Sequence, residues 1–397
     1  MSSFGAIFLP KGFKFSSLAA GIKASGKPDL ALITAGPRTS AAAMFTKNLI
    51  VAAPLQVGRA SLKASRGQIR AVIVNSGNAN CATGSAGVRA CKQVCAQTAK
   101  LLKVPLSQIF PSSTGIIGVP LPAEKIQSRL AELATSAQAS VQNLHAFADA
   151  ILTTDTRAKI ASLPLKSGNA AITGVAKGSG MIHPQLATML VYILTDILAT
   201  PAELRGMLRT ACDDSFNVIS VDGDTSTNDT VLLLASGESG IALKTVRREF
   251  EAALLEVCRS LAKQIVADGE GVQHLIHLKI EQARNRDEAL QIARAIAHSL
   301  LVKTAWAGAD PNWGRILAAA GRSGIALDPA KISIVIGAQT VCRGSVACTF
   351  DQKRAHQELS QPESSVTVKL GRGKASIDFL TTDLTQEYVR INADYST

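Results

Sequence analysis

At 397 residues, 47% of them hydrophobic, the chain is long enough for one large or two medium-sized globular domains with well-buried cores. Only 4% of the residues are aromatic, which disfavours nucleic-acid binding by base stacking, and the apolar runs are too short to span a bilayer. The formal net charge of +12 keeps a basic nucleic-acid-binding protein as a non-enzymatic alternative, although the basic residues are scattered, which is typical of a solvated surface.

Seven cysteines make an odd number, form no C-x-x-C pair and follow no recognisable signal peptide. This pattern predicts a reducing, cytoplasmic location, with an organellar origin left open. Cys91 and Cys95 lie four residues apart in a predicted helix, Gly84 to Lys103, and are interpreted as packing residues. The six histidines are dispersed, so no metal site is predicted.

Short apolar runs bounded by Gly, Asn, Asp or Pro predict buried strands at Leu30 to Ile33, Ala71 to Val74 and Val231 to Ala235. Apolar residues spaced by three and four predict an amphipathic helix over Arg248 to Asp268. The mixture of strands and helices, without an internal repeat, predicts a layered α+β fold.

Further along the chain, a second apolar stripe from Leu290 to Leu300 follows a predicted helix N-cap at Asp287. The polar stretch Asp351 to Ser365 is interpreted as a surface loop. Alternating apolar residues on both sides of Gly371-Arg372-Gly373 predict a β-hairpin near the C-terminus.

The segment KGSGMIHPQLATML, residues 177 to 190, leads a flexible glycine-rich loop into an apolar run that begins at Ala187-Thr188. A threonine hydroxyl is a weak nucleophile unless a base is near, and a threonine made N-terminal can use its own α-amine, whose pKa is near 8. Breaking the Ala187-Thr188 bond by an N-to-O acyl shift and ester hydrolysis would expose that amine. The alternative is that Thr188 is an ordinary strand residue.

Three other loops carry polar groups. Thr114-Gly115, in a serine-rich turn, offers a hydroxyl and backbone N–H groups suited to an oxyanion hole, or is simply a turn. Thr153 to Thr156 and Asp222 to Asp229 group hydroxyls and carboxylates that could bind a metal ion or a polar substrate. The second resembles part of a calcium-binding loop but lacks the glycine and distal glutamate of an EF-hand, which disfavours metal. Glu270, between two glycines, suits either a ligand cation or a helix C-cap.

Taken together, these segments resemble the ornithine acetyltransferase family, also called bifunctional glutamate N-acetyltransferase. The resemblance runs from PKGF at Pro10 to the last residue. The matching stretches, in chain order, are GIKASGKPDLALI, VNSGNAN, SSTGIIG, TTDT, KGSGMIHPQLATML, VDGDTSTNDTVLLLASG, DGEG, GADPNWGRI and INADYST. Two departures are Cys81-Ala82 where members often have Ala-Cys, and Gln185-Leu186 where Asn-Met is common.

The resemblance implies an αββα sandwich similar to N-terminal-nucleophile-type aminopeptidases, over residues 1–240, followed by a smaller C-terminal α/β domain over 241–397. It also implies autoproteolysis into an α chain, 1–187, and a β chain, 188–397, which assemble as an α2β2 heterotetramer. The implied site comprises the nucleophile Thr188, the oxyanion-hole residues Thr114 and Gly115, and the substrate-binding residues Thr154, Lys177, Thr188, Glu270, Asn392 and Thr397.

The implied reaction carries acetyl from N-acetylornithine through Thr188 to glutamate, without a metal or cofactor. Whether acetyl-coenzyme A is a second acetyl donor stays open, because the chain has no glycine-rich phosphate-binding motif and such sites need not have one. The enzymatic alternative is an N-terminal-nucleophile amidase or aminopeptidase of similar fold, which would release the acyl group to water.

Overall fold

The structure is a computed structural model that describes residues 6–166, 169–183 and 189–394. Ala187, Thr188 and Thr397 lie outside these ranges. The strands are β1 (Phe13–Leu18), β2 (Leu30–Ala35), β3 (Ser40–Phe45), β4 (Ala71–Asn78), β5 (Ile109–Ile116), β6 (Lys159–Leu165), β7 (Ala170–Lys177), β8 (Leu190–Thr195), β9 (Thr230–Ala235), β10 (Leu275–Ala283), β11 (Ser333–Ile336), β12 (Gln339–Arg343), β13 (Val346–Ala347), β14 (Glu363–Lys369) and β15 (Ala375–Thr382).

The helices cover the sheets formed by these strands. They are α1 (Ala53–Ala64), α2 (Gly84–Leu102), α3 (Ala123–Thr135), α4 (Val141–Ala150), α5 (Pro201–Asp213), α6 (Leu243–Ala267), α7 (Arg286–Ala297), α8 (Leu300–Ala307), α9 (Trp313–Gly321), α10 (Gln352–Leu359) and α11 (Gln386–Asp394). Within the described ranges, no helix is both long and apolar enough to cross a membrane.

Two sheets pack face to face and form the centre of the molecule. The first has strand order β1-β2-β4-β5, and the second has order β3-β9-β8-β7-β6. Their facing side chains, among them Phe15, Val74, Tyr192 and Leu232, form one buried apolar cluster. Strands β7, β8 and β9 are buried along their whole length, which explains why their sequences are mostly apolar rather than alternating.

Helices cover the outer face of each sheet and complete an αββα sandwich, which confirms the predicted fold class. On the first sheet, α2 and α3 pack over Leu32 and Ile73, and the buried Cys91 and Cys95 belong to this layer as predicted. On the second sheet, α5 and α6 pack over Ile193 and Leu233.

The C-terminal part contains a third sheet with order β13-β12-β11-β14-β10-β15, packed against α7, α8 and α9 around the buried Trp306. Helix α6 contacts β6 and β7, so it belongs by packing to the sandwich. The division of the chain at residue 240 stays a prediction.

Three local predictions in the C-terminal part are wrong. The hairpin around Gly371-Arg372-Gly373 does not form, because β10 lies between β14 and β15 and pairs with both. Alternation shows which face of a strand is buried but does not specify its pairing partner. The polar stretch 351–365 is not a loop. It contains α10, whose Ala355 and Leu359 are buried one turn apart, and its last residues, from Glu363 on, begin β14.

The third wrong prediction concerns the stripe from Leu290 to Leu300. The N-cap of α7 is Asn285, whose side chain accepts a hydrogen bond from the Glu288 N–H, rather than Asp287. The stripe is also divided between two helices, because α7 ends at Ala297 and the exposed Leu300 begins α8. The predicted helix over Arg248 to Asp268 is confirmed within α6.

Gly174 in β7 tests how tightly α6 packs on the second sheet. A Cβ atom on Gly174 would lie 2.6 Å from Leu261 Cδ1 and 2.9 Å from Val257 Cγ1. We expect Gly174→Ala to destabilise the protein by about 1–3 kcal/mol through overpacking, measured as the free energy of unfolding in denaturant. Gly206→Ala is the matched control, since it adds a methyl group in open space on α5 and should stabilise by about 0.8–1 kcal/mol. If both variants changed the free energy of unfolding by the same amount and in the same direction, α6 would be loosely packed on the second sheet.

Candidate functional site

A cavity of about 210 Å³ lies where the ends of β5 and β7 meet the C-terminal helix α11. Six of the predicted site residues line it together, although they are far apart in sequence: Thr114, Gly115, Thr154, Lys177, Glu270 and Asn392. A larger cavity of about 530 Å³ between β6 and α6 is lined by none of the predicted site residues.

Thr114 and Gly115, which the sequence placed in a turn, lie instead in β5, whose end is fixed by close backbone approach. Gly115 has φ +130°, and a Cβ atom there would lie 2.3 Å from the Gly77 carbonyl carbon, so this contact requires glycine. The Asn228 Nδ2 group donates hydrogen bonds to Ser113 O at 2.9 Å and to Ala79 O at 2.7 Å. The Thr114 hydroxyl and the Gly115 backbone are therefore held at the cavity wall.

Lys177 is the cationic group of the cavity. Its side chain is buried at the end of β7, and its Nζ atom lies 3.3 Å from Thr114 Oγ1 and 3.8 Å from Asp155 Oδ2. Burial lowers the pKa of Lys177, and the Asp155 carboxylate is the main influence that opposes this shift.

Asp155, which the sequence placed only in a polar loop, is the centre of a buried ion network. Its Oδ1 atom accepts hydrogen bonds from Lys159 Nζ at 2.7 Å and from the Gly178 N–H at 2.5 Å. Lys159 Nζ also donates to Asp268 Oδ2 at 2.6 Å, beyond the end of α6. We refer to Asp155, Lys159, Lys177 and Asp268 as the ion network.

Burial acts to raise the pKa of Asp155, but the ammonium groups of Lys177 and Lys159 outweigh it and lower the pKa from 3.8 to about 2. A depressed carboxyl pKa in the folded state stabilises the fold at pH values above the unfolded pKa. The contribution of Asp155 is therefore complete above about pH 4 and is lost as the pH falls through about 2.

The opposite side of the cavity is acidic. Glu270 Oε2 accepts a hydrogen bond from Asn392 Nδ2 at 2.8 Å, which connects α11 to the segment after α6. Asp222 accepts from the backbone N–H groups of Met181 at 2.6 Å and Ile182 at 2.9 Å. Burial raises the pKa of Asp222 to about 6, with these backbone N–H groups among the influences that oppose it.

Thr154 lies between these two sides, and its hydroxyl shares a 2.7 Å hydrogen bond with Ser179 Oγ. The predicted nucleophile is outside the described residues, but the next residue, Met189, is fully buried, and its N–H donates to Asp229 Oδ1 at 3.0 Å. Within the described ranges, no three His, Cys, Asp or Glu side chains are grouped to hold a metal ion.

The geometry thus combines a buried ammonium, a hydroxyl and a close backbone turn on one side with carboxylates on the other. The ArgJ family model matches residues 14–397. The chain belongs to the ArgJ family. It is an enzyme of arginine biosynthesis, in agreement with the resemblance found from the motifs.

Curated relatives cover nearly the full chain. The arginine biosynthesis bifunctional protein ArgJ of Thermus thermophilus is 44% identical over 99% of this chain and 100% of its own length. The protein of the same name from Chlorobaculum tepidum is 42% identical over 98% of this chain and 97% of its own length.

Two solved structures are also similar. The arginine biosynthesis bifunctional protein argJ of Bacillus halodurans is 39% identical, with a TM-score of 0.49 over 51% of this chain and 98% of that chain. Ornithine acetyltransferase of Mycobacterium tuberculosis, solved in complex with ornithine, is 35% identical, with a TM-score of 0.43 over 46% of this chain and 94% of that chain.

Sequence reasoning assigned no role to Lys159, Asp268 or Asn228. A lysine at the start of a largely apolar strand, shortly after TTDT, was the signal that could have pointed to Lys159. The contacts of Asn228 depend on tertiary structure, and the sequence gives no separate signal for them.

Replacing Lys159 by methionine tests the ion network. It leaves the carboxylates of Asp155 and Asp268 buried without their shared ammonium, so we expect a loss of about 3–5 kcal/mol in the free energy of unfolding. Lys263→Met is the control, because its 2.8 Å pair with Glu363 is about half exposed and should contribute no more than about 1 kcal/mol. A similar small loss in both variants would contradict the proposed importance of the network for stability.

Proposed function

We propose that this enzyme is an ornithine acetyltransferase that carries acetyl from N2-acetyl-L-ornithine to L-glutamate. The observation that carries the proposal is the charge arrangement of the cavity, with Lys177 beside Thr114 on one side and Glu270 and Asp222 on the other. Acetylornithine offers a carboxylate and a side-chain ammonium, which suit a lysine and a carboxylate respectively.

In the proposed first half-reaction, Thr188 Oγ attacks the acetyl carbonyl carbon and its α-amine takes the hydroxyl proton. The Thr114 hydroxyl and the Gly115 N–H stabilise the oxyanion of the tetrahedral intermediate. The C–N bond then breaks, the ornithine α-amine leaves with the proton, and Thr188 is left as an acetyl ester.

In the second half-reaction, the neutral α-amine of glutamate attacks the acetyl ester and the C–O bond to Thr188 breaks. The Thr188 α-amine transfers the proton lost by the attacking amine to the released Thr188 oxygen, which completes a ping-pong cycle. Thr154, Lys177, Glu270, Asn392 and Thr397 are proposed to bind the amino-acid part of each substrate. No cofactor is required. The word bifunctional in the names of the relatives supports a second activity, in which acetyl-coenzyme A is the acetyl donor for glutamate.

The α-amine exists only after autoproteolysis at Ala187-Thr188, which we propose proceeds by attack of the Thr188 hydroxyl on the preceding carbonyl and hydrolysis of the resulting ester. The two chains would stay together and assemble as an α2β2 heterotetramer. All seven cysteines belong to the described residues and are free thiols there, which supports the proposed cytoplasmic location.

Self-cleavage is tested by intact mass. The purified enzyme should contain fragments beginning at Met1 and Thr188, of about 20 and 22 kDa when 41.5 kDa is shared over 187 and 210 residues. Thr188→Ala removes the attacking hydroxyl and should leave one uncleaved chain. An uncleaved wild-type chain that still transfers acetyl would contradict the α-amine mechanism.

The acyl acceptor distinguishes acetyl transfer from the amidase alternative. Incubation with acetylornithine should release ornithine continuously only when glutamate is present, with one acetylglutamate formed for each ornithine, as measured by mass spectrometry. Without glutamate, release should stop near one ornithine per site, because the acetyl group stays on Thr188. Continuous release of acetate without glutamate would instead indicate the amidase.

A further inference from the structure

The Thr114 hydroxyl is oriented by its neighbour. A lysine ammonium has only donors, so at 3.3 Å the Lys177 Nζ group donates to Thr114 Oγ1. The Thr114 hydroxyl must then direct its own hydrogen elsewhere. Among the described residues it donates to no protein acceptor, and the side chain lines the cavity. Its hydrogen therefore points to the space where a ligand oxygen would lie.

Only a charged Lys177 enforces this orientation, because a neutral amine has a lone pair that could accept the Thr114 hydrogen. A charged group with its side chain only 3% exposed needs a nearby countercharge. Asp155 provides it at 3.8 Å. Lys177 also interacts electrostatically with two other cations, Lys159 and Lys23, and with two other carboxylates, Asp229 and Glu270. Among the carboxylates, Asp155 is the strongest influence in favour of the charged form.

Asp155 cannot readily move away from this position. Its carboxylate accepts the N–H groups of Thr153 at 3.1 Å and Gly178 at 2.5 Å, and the ammonium of Lys159 at 2.7 Å. Gly178 directly follows Lys177, so one carboxylate fixes both the charge of the lysine and the backbone beside it.

We propose that Asp155 is a positioning residue for acetyl transfer, which acts by keeping Lys177 charged so that the Thr114 hydroxyl donates its hydrogen to the oxyanion. The inference rests on the proposed acetyltransferase function and adds a residue to its mechanism. Asp155 is placed to act through Lys177, since it does not line the cavity.

The sign of the pH effect follows from this role. The active form of Lys177 is protonated, so activity falls as the pH rises through its pKa and gives the alkaline limb of the rate profile. Replacing Asp155 by asparagine removes the countercharge, lowers the pKa of Lys177 further and moves the alkaline limb to lower pH.

The experiment compares the pH dependence of kcat for acetyl transfer in cleaved wild type, Asp155→Asn and Asp196→Asn. Asp196 is the control because it is also buried and accepts two backbone N–H groups, but it contacts no buried lysine. We expect kcat of Asp155→Asn near pH 8 to fall by about 10- to 100-fold, less than the ~10²–10³ typical of losing an oxyanion donor. Its alkaline limb should move to lower pH, while the control keeps the wild-type limb.

A second variant keeps the ion network intact. Thr114→Val removes only the oriented hydroxyl, so it should lower kcat by about 10²–10³ and abolish the alkaline limb. If a variant is isolated uncleaved, the pH dependence of its self-cleavage is measured instead, because attack of Thr188 on the preceding carbonyl also forms an oxyanion that the Thr114 hydroxyl would stabilise.

The inference is overturned if Asp155→Asn has a lower kcat but the same alkaline limb as the wild type. It is also overturned if Thr114→Val keeps the alkaline limb. Absence of acetyl transfer by the wild type would instead overturn the proposed function, and this inference with it.

Discussion

The attraction between two buried lysines and two buried aspartates is the interaction on which the site depends. Lys159 joins Asp155 to Asp268, and Asp155 faces Lys177. A single buried charge would be strongly unfavourable, whereas opposite charges in good geometry offset much of the cost of removing them from water. The network therefore persists only if all its members are present. It links β6, β7 and the end of α6, so the second sheet, its helix layer and the cavity wall form one electrostatic unit.

The fold was predictable where burial alone determines the sequence pattern. Val231 to Ala235 had to be a strand buried on both faces, and α6 needed a sheet to cover its apolar stripe; both are confirmed. Strand pairing was not predictable in the same way. The alternation in β14 and β15 correctly marks their buried faces, but the insertion of β10 between them depends on residues almost a hundred positions earlier. Local turn chemistry favoured a hairpin that the tertiary pairing overrides.

The site was partly predictable for a related reason. The motifs identified six residues that do line one cavity, because each carries unusual polar or glycine chemistry in a short segment. Their roles stay predictions, as do those of Thr188 and Thr397. The motifs did not reveal the supporting contacts of Lys159 and Asn228, since these contacts exist only after sheets and helices pack. A charged residue at the start of a strand is a weak signal until the burial of its partners is known.

The two halves of the proposed chemistry come from different sheets of the sandwich. The Thr114 hydroxyl lies at the end of β5 in the first sheet, whereas Met189 lies just before β8 in the second sheet. Two consecutive residues before β9 contact both: Asn228 donates to Ser113 O, and Asp229 accepts from the Met189 N–H. Catalytic groups must be held to within about 0.5 Å of productive geometry. The packing between the sheets, fixed at this point by Asn228 and Asp229, therefore determines the distance between Thr114 and Met189, the residue that follows the proposed nucleophile.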